Sequence, residues 1–242
     1  MALYFWEELT REQLCAVLPD ALVVLPVGAT EQHGPHLPTG TDAIIVSEVV
    51  RAAARSAETV LDLVLAPPLP FGASDHHLPF GGTLSLRVET MTEVLVDLAR
   101  SVHADGATRL LVVNGHGGNR GACQSAAQRA ATAYGMRIAY ADYWELLRAD
   151  RPAEPDDPPV PGHAGAFESG LLARLRPHLV GDLPERTPPT TAGVAGVTVQ
   201  EQDAWTRTDG FSDNPAAAVD GGEWFEACVA ALAARLVVLA AA

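Results

Sequence analysis

The chain contains no lysine; all sixteen of its basic residues are arginine. Without lysine, a Schiff-base amine, a phosphate-loop lysine and a Ser-Lys dyad are all excluded. Thirty acidic residues set against those sixteen give a formal net charge of −14. A surface of that sign repels nucleic acid and anionic lipid, so neither is expected as a partner, and small neutral or cationic substrates fit better. Cysteine is scarce as well. Cys15, Cys123 and Cys228 are odd in number, form no CxxC pair and sit in apolar, helical-looking sequence, which reads as three buried free thiols. The opening residues, MALYFWEELTREQL, lack a basic segment followed by an apolar one, so they do not read as a signal peptide, and a cytoplasmic location is expected. The one long apolar stretch, Ala227 to Ala242, is interrupted by Arg235 and falls short of the roughly 20 residues of a bilayer span. No membrane association is expected; the stretch reads as a C-terminal helix packed on the domain or on a partner.

A hydrophobic fraction of 48% with 19% charged residues is that of a chain able to bury a large core, and residues 1–242 are read as a single domain. Apolar runs at Ala21 to Val27, Leu61 to Leu65, Arg109 to Val113 and Arg137 to Ala141 read as strands buried on both faces. Helical periodicity fills the intervals at Ala43 to Ser56, Val88 to His103 and Arg120 to Tyr134. Strands alternating with helices predict an α/β fold, a mostly parallel sheet with helices on both faces and ligands bound beyond the carboxyl ends of the strands. Arg148 to Pro161, rich in Pro, Asp and Glu, reads as a surface loop. Pro184 to Asp220 reads as irregular structure or a short hairpin that covers the site.

Potential metal ligands stand at several of these strand ends. After the first strand come Glu31-Gln32-His33-Gly34-Pro35-His36, in which residues two apart project to one side of an extended segment, so Glu31 and His33 present a carboxylate and an imidazole together. Asp42 follows Gly40-Thr41 at the head of the next helix. Aspartate is a favoured N-cap, and capping competes with metal binding for the same oxygens. Asn114-Gly115-His116-Gly117-Gly118-Asn119 follows another strand; it carries neither GxGxxG nor GK[ST], so a phosphate cradle is not indicated, and the glycines leave His116 turned into the crevice. A helix from Ala164 to Leu175 would place Glu168 within an apolar face with no arginine three or four residues away. An unpaired buried carboxylate is costly and a metal ion compensates it, so Glu168 is a candidate ligand, with His163 just before it free to carry a proton.

Together these segments, with His163-Ala164-Gly165 and Glu168-Ser169, resemble the creatininase family of creatinine amidohydrolases over about residues 1–180. The resemblance implies a three-layer αβα fold, commonly a homohexamer, and two divalent ions per chain, zinc, manganese or iron. It implies that Glu31, Asp42 and His116 hold one ion, that His33 and a bridging Asp42 hold the other, and that His163 is the catalytic histidine. Creatininase proper has a tyrosine and a glutamate where this chain has Gly117 and Gly118, so Glu168 is expected to complete the second ion. Ser74, His76 and His77, in a segment that looks like the family's substrate-side loop, are expected to bind substrate together with Gly117 and Gly118. If that segment is extended, at most one of the adjacent histidines reaches a given ion. The expected activity is hydrolysis of a C–N amide bond, cyclic or linear, of a small molecule by a metal-activated water. A peptidase or formamide hydrolase of the same family, and a non-catalytic metal or metabolite binder on the same scaffold, are the alternatives; His163 separates the last, because a binder needs no proton donor.

Overall fold

A computed structural model describes residues 2–57, 59–187, 207–217 and 219–241. Five short strands, β1 (Leu3–Phe5), β2 (Leu22–Val27), β3 (Leu63–Leu65), β4 (Arg109–Asn114) and β5 (Arg137–Asp142), form one sheet in the order β1-β3-β2-β4-β5, and every neighbouring pair is parallel. Parallel neighbours require crossovers, which α1 (Arg11–Val17), α2 (Thr41–Ser56), α3 (Val88–Ala104) and α4 (Arg120–Tyr134) supply. After β5 come α5 (Tyr143–Asp150), α6 (Ala166–Leu175) and α7 (Gly221–Ala241).

The period-2 alternation of the strands divides the core into two layers. Leu22, Val24, Leu63, Leu65, Leu111 and Val113 face α2, α5, α6 and α7. Val23, Leu25, Val27, Val64, Leu110 and Val112 face α1, α3 and α4. The result is the expected αβα arrangement. From the central strand β2 the chain steps outward to β3, then crosses to β4 on the other side, so the sheet reverses its winding between β2 and β4. A crevice opens at the carboxyl ends of two such strands. It is kept narrow by α2, which packs directly on the turn after β4: a Cβ on Gly115 would lie 2.6 Å from Val46 Cβ.

Several boundaries differ from the sequence reading. β1 and α1 were not foreseen, since three and seven residues are too short to establish a period, although the capping box between Thr10 and Gln13 is a legible helix start. Helix α5 continues to Asp150, so the polar loop begins only at Arg151. Helix α2 begins at Thr41 rather than Ala43. Helix α6 begins at Ala166 rather than Ala164, whose φ of 50° is left-handed and incompatible with a helical turn.

Helix α7 begins at Gly221 and is long and apolar enough, by length and composition, to cross a bilayer, contrary to the shorter stretch read from sequence. Trp224, Phe225, Cys228, Leu232 and Leu236 are nevertheless buried in the core layer shared with α2, α5 and α6, and Arg235 pairs with Asp150. Residues 188–206 of the segment expected to cover the site lie outside the described residues.

Cys123 and Cys228 are buried as expected, but Cys15 is exposed, because it lies on the outer side of the short helix α1. Burial pushes the Cys123 and Cys228 thiols up to about 12, so at pH 8 almost no reactive thiolate is present at either. A disulfide exchange reagent at pH 8 should therefore titrate one thiol in the native protein and three after denaturation. Rapid reaction of all three in the folded state would contradict this packing.

Candidate metal centre

Glu31 and His33 lie in the irregular segment that leaves β2, and both side chains are fully buried. His33 Nδ1 is 3.1 Å from the carbonyl oxygen of Glu31, which can only accept, so Nδ1 carries a hydrogen and Nε2 faces inward. There it meets Asp42 Oδ1 at 3.3 Å and Glu168 Oε2 at 3.6 Å. Asp42 is not the N-cap of α2. Gly40 occupies that position without a side-chain bond, and Asp42, the second residue of the helix, directs Oδ2 at His116 Nδ1, 3.1 Å away.

His116 follows β4, and its Nε2 lies 3.2 Å from Glu31 Oε2 and 3.4 Å from the hydroxyl of the buried Ser74. Glu168, in the first turn of α6, accepts a hydrogen bond from Ala164 N–H at 2.6 Å as well as facing His33. His163 stands beside them, its Nδ1 3.3 Å from Glu31 Oε1 and its Nε2 3.0 Å from the Gln32 carbonyl oxygen and 2.9 Å from Gln32 Nε2.

The ligand atoms of Glu31, Asp42 and His116 lie within 4.8 Å of one another, and so do those of His33, Asp42 and Glu168; Asp42 belongs to both groups. Glu31 is also grouped with His76 and His77. Adjacent histidines point apart only if their segment is extended, and this one is not. Residues Asp75–Phe80 instead form a 3-10 turn, which swings adjacent rings to centroids 4.2 Å apart. His76 stacks on His116 and His77 on His163.

Three buried carboxylates thus share a small volume, and among the described residues histidines are their only ion-pair partners. Glu31 Oε1 and Oε2, Asp42 Oδ2 and His33 Nε2 make no hydrogen bond of good geometry. Burial pushes Glu31 up to about 7, despite the imidazoles beside it. Burial also disfavours charge on His116, but Glu31 and Asp42 outweigh it and hold this histidine near 9. His33 is raised in the same way, against burial, by Asp42 and Glu168. Burial and the surrounding imidazoles keep His163 well below the usual range. Without added cations the cluster balances its charge with shared protons, and orphaned carboxylate and imidazole atoms converging in this way fit divalent ions.

Beside the cluster lies a cavity of about 910 Å³, walled by His76, Val88, Arg120, Trp144 and Arg148 and by Gly117 and Gly118. A Cβ at Gly118 would sit 2.2 Å from Ala73 O and 2.5 Å from His116 Nε2, whereas one at Gly117 would meet open space.

Sequence reasoning overlooked the neutral braces. Asn114 Nδ2 donates to His116 O and to Asp142 Oδ1, each at 2.7 Å, while its Oδ1 accepts from His116 N–H at 3.1 Å. Asn119 ties the turn to Gly28 O and Ala73 N–H. Gln32 Nε2 contacts His77 Nδ1 at 3.0 Å as well as His163. All three amides sit inside the quoted motifs, so their spacing was the available signal.

Over residues 7–236 the sequence matches the family model of creatinine amidohydrolase, Creatininase. The chain belongs to the creatininase family. Among curated relatives it is 38% identical over 177 residues to a mycofactocin precursor peptide peptidase of Mycobacterium ulcerans, a match covering 71% of this chain and 64% of that protein. It is 31% identical over 181 residues to a creatinine amidohydrolase of Pseudomonas putida, covering 66% of each. The chain therefore spans somewhat less than two thirds of the length of these relatives. Among solved structures, one described as "Creatininase Mn" superposes with a TM-score of 0.80 at 25% identity, covering 96% of both chains. A putative creatinine amidohydrolase from Bacteroides fragilis gives 0.78 at 28% identity, covering 98% of this chain and 96% of that one.

Asn114→Ala should cost about 1–3 kcal/mol, because it strands the buried His116 N–H and leaves Asp142 Oδ1 with Tyr140 OH as its one remaining side-chain donor. Urea unfolding monitored by tryptophan fluorescence measures it. An unchanged midpoint would show that the turn is held without this amide.

Proposed function

We propose that this creatininase-family chain is a metal-dependent amidohydrolase that cleaves a C–N amide bond by attack of water. The observation that carries the reading is the pair of overlapping ligand groups, Glu31/Asp42/His116 and His33/Asp42/Glu168, with His163 beside them in the wall of a cavity. Each group would hold one divalent ion, with Asp42 shared. Mixed imidazole and carboxylate donors suit zinc, manganese or iron. When bound, the ions lower the pKa of a water and polarise the scissile carbonyl.

The remaining work falls to the chain's own residues. With its Nε2–H donated to the Gln32 carbonyl, His163 presents Nδ1 to the cluster, where it takes the proton of the attacking water and delivers it to the departing nitrogen. His76 and His77 line the cavity, Ser74 is buried against His116, and the side-chain-free Gly117 leaves room for the substrate, whereas the missing Cβ of Gly118 makes room for Ala73 O and the His116 ring. A homohexamer and a cytoplasmic location belong to the same reading.

A linear, peptide-like amide is favoured over creatinine by one observation. At about 910 Å³ the cavity is near the upper end of the roughly 300–1,000 Å³ found for small-molecule sites, far more than a single small ring fills. The relatives at 38–39% identity are named as peptidases of a precursor peptide, which points the same way.

The test is metal analysis combined with a panel of creatinine, N-formyl amines and short peptides read by mass spectrometry. Up to two ions per chain are expected, and chelation should abolish every hydrolytic activity; full activity in metal-free protein would end the proposal. His163→Ala should lower kcat by about 10²-fold at unchanged metal content; loss of an ion would make it a ligand instead. Glu168→Gln keeps the size but removes the charge, and should weaken one ion by about 10-fold or more. Wild-type occupancy of both positions in that variant would show that Glu168 serves only as an acceptor for Ala164 N–H.

A further inference from the structure

His163 sits in a turn with an unfavourable backbone. Gly162 before it and Ala164 after it both have left-handed φ, 69° and 50°, and alanine in that region is strained. Something outside the turn must hold it. Both main-chain groups of His163 are bonded to one residue: its N–H donates to Ser212 Oγ at 2.6 Å, and its carbonyl accepts from Ser212 N–H at 3.0 Å. Ser212 Oγ in turn donates to Asp213 Oδ1 at 2.5 Å, and Asp213 Oδ2 accepts from Ala166 N–H at 2.9 Å. Helix α6, whose N-cap Gly165 has no side chain to offer, is thus capped by a carboxylate 47 residues away. The fit is close: a Cβ on Gly165 would overlap Asp213 Oδ1. Asp213 is 5% exposed and makes no ion pair among the described residues, so these bonds are its visible occupation.

We propose that Ser212 and Asp213 are positioning residues for His163, fixing the peptide units on either side of its Cα so that Nδ1 stays aimed at Glu31. The catalytic part of this inference rests on the reading of His163 as proton carrier; the positioning part does not. A misplacement of about 1 Å in a reacting group can cost about 10²-fold in rate, so two bonds to the main chain of such a residue carry weight beyond stability.

Two measurements separate the parts. In zinc-supplemented protein with 13C-labelled histidine, the His163 ring signal, assigned by its loss in His163→Ala, should shift or broaden in Ser212→Ala and Asp213→Ala. The His33 and His116 signals and the zinc content should stay as in wild type. Asp213→Asn, which retains an acceptor, should restore the signal in part and provides a folded variant should the alanine change unfold the chain. An unmoved His163 signal in folded variants overturns the proposal whatever the enzyme cleaves.

In kinetics on the best-cleaved member of the substrate panel, Ser212→Ala should lower kcat by about 10-fold or more with little change in KM. In the His163→Ala background it should have almost no further effect, because it acts through that ring. Equal losses in both backgrounds would make Ser212 merely structural. An unaffected His163→Ala enzyme, alongside a shifted ring signal in Ser212→Ala, would defeat the proton-carrier reading and leave the positioning intact.

Discussion

The arrangement of this molecule depends on burying Glu31, Asp42 and Glu168 together with no arginine among them. Like charges in a low-dielectric interior repel strongly, and each carboxylate also loses its hydration. The fold tolerates this because it gathers them at the carboxyl ends of β2 and β4, beside the positive end of α2, with imidazoles inserted between. The upward pressure on Glu31 and the raised His33 and His116 are two sides of one imbalance. A cation in the middle removes it.

Much of this was legible in the sequence because the chemistry stands immediately after strands. An apolar run that ends in a polar, glycine-bearing segment fixes both the sheet and the place where the chain leaves it, so Glu31, His33 and His116 could be assigned to one crevice before any geometry was known. Asp42 was ambiguous for a physical reason: a carboxylate at a helix start satisfies either backbone amides or a neighbour across the crevice, and only the position of Gly40 as N-cap decides. The convergence of His76 and His77 is not legible in the sequence, because a 3-10 turn and an extended segment of the same composition aim adjacent side chains differently.

What the sequence hid lies in segments without periodicity. Ser212 and Asp213 belong to a stretch with no strand or helix to mark its direction, and their bonds run to main-chain atoms, which carry no residue signature. Asp213 reads like any surface aspartate. Its role shows only when Gly165 and Ala166 are brought against it, and glycine at 165 is the one trace of that approach. The late start of α6 has the same origin: a left-handed alanine preceded by glycine is a tertiary choice, flanked by the Ser212 bonds to His163 on one side and the Asp213 bond to Ala166 on the other.

The supports that touch the ligands are neutral. Asn114 and Asn119 hold the His116 turn, Gln32 borders His163 and His77, Ser74 meets His116, and main-chain carbonyls take the imidazole hydrogens of His33 and His116. Charge reappears only one residue farther out, where Arg120 neutralises Asp142 behind Asn114. An arginine at the position of any of these amides would pair with Glu31 or Asp42 and satisfy the carboxylate permanently, removing the electrostatic reason for a cation to enter. Amides and hydroxyls fix the geometry without discharging it. The absence of lysine from the chain and of arginine from this cluster thus express one constraint: the negative charge has to be positioned firmly and offset only by protons that an entering ion can displace.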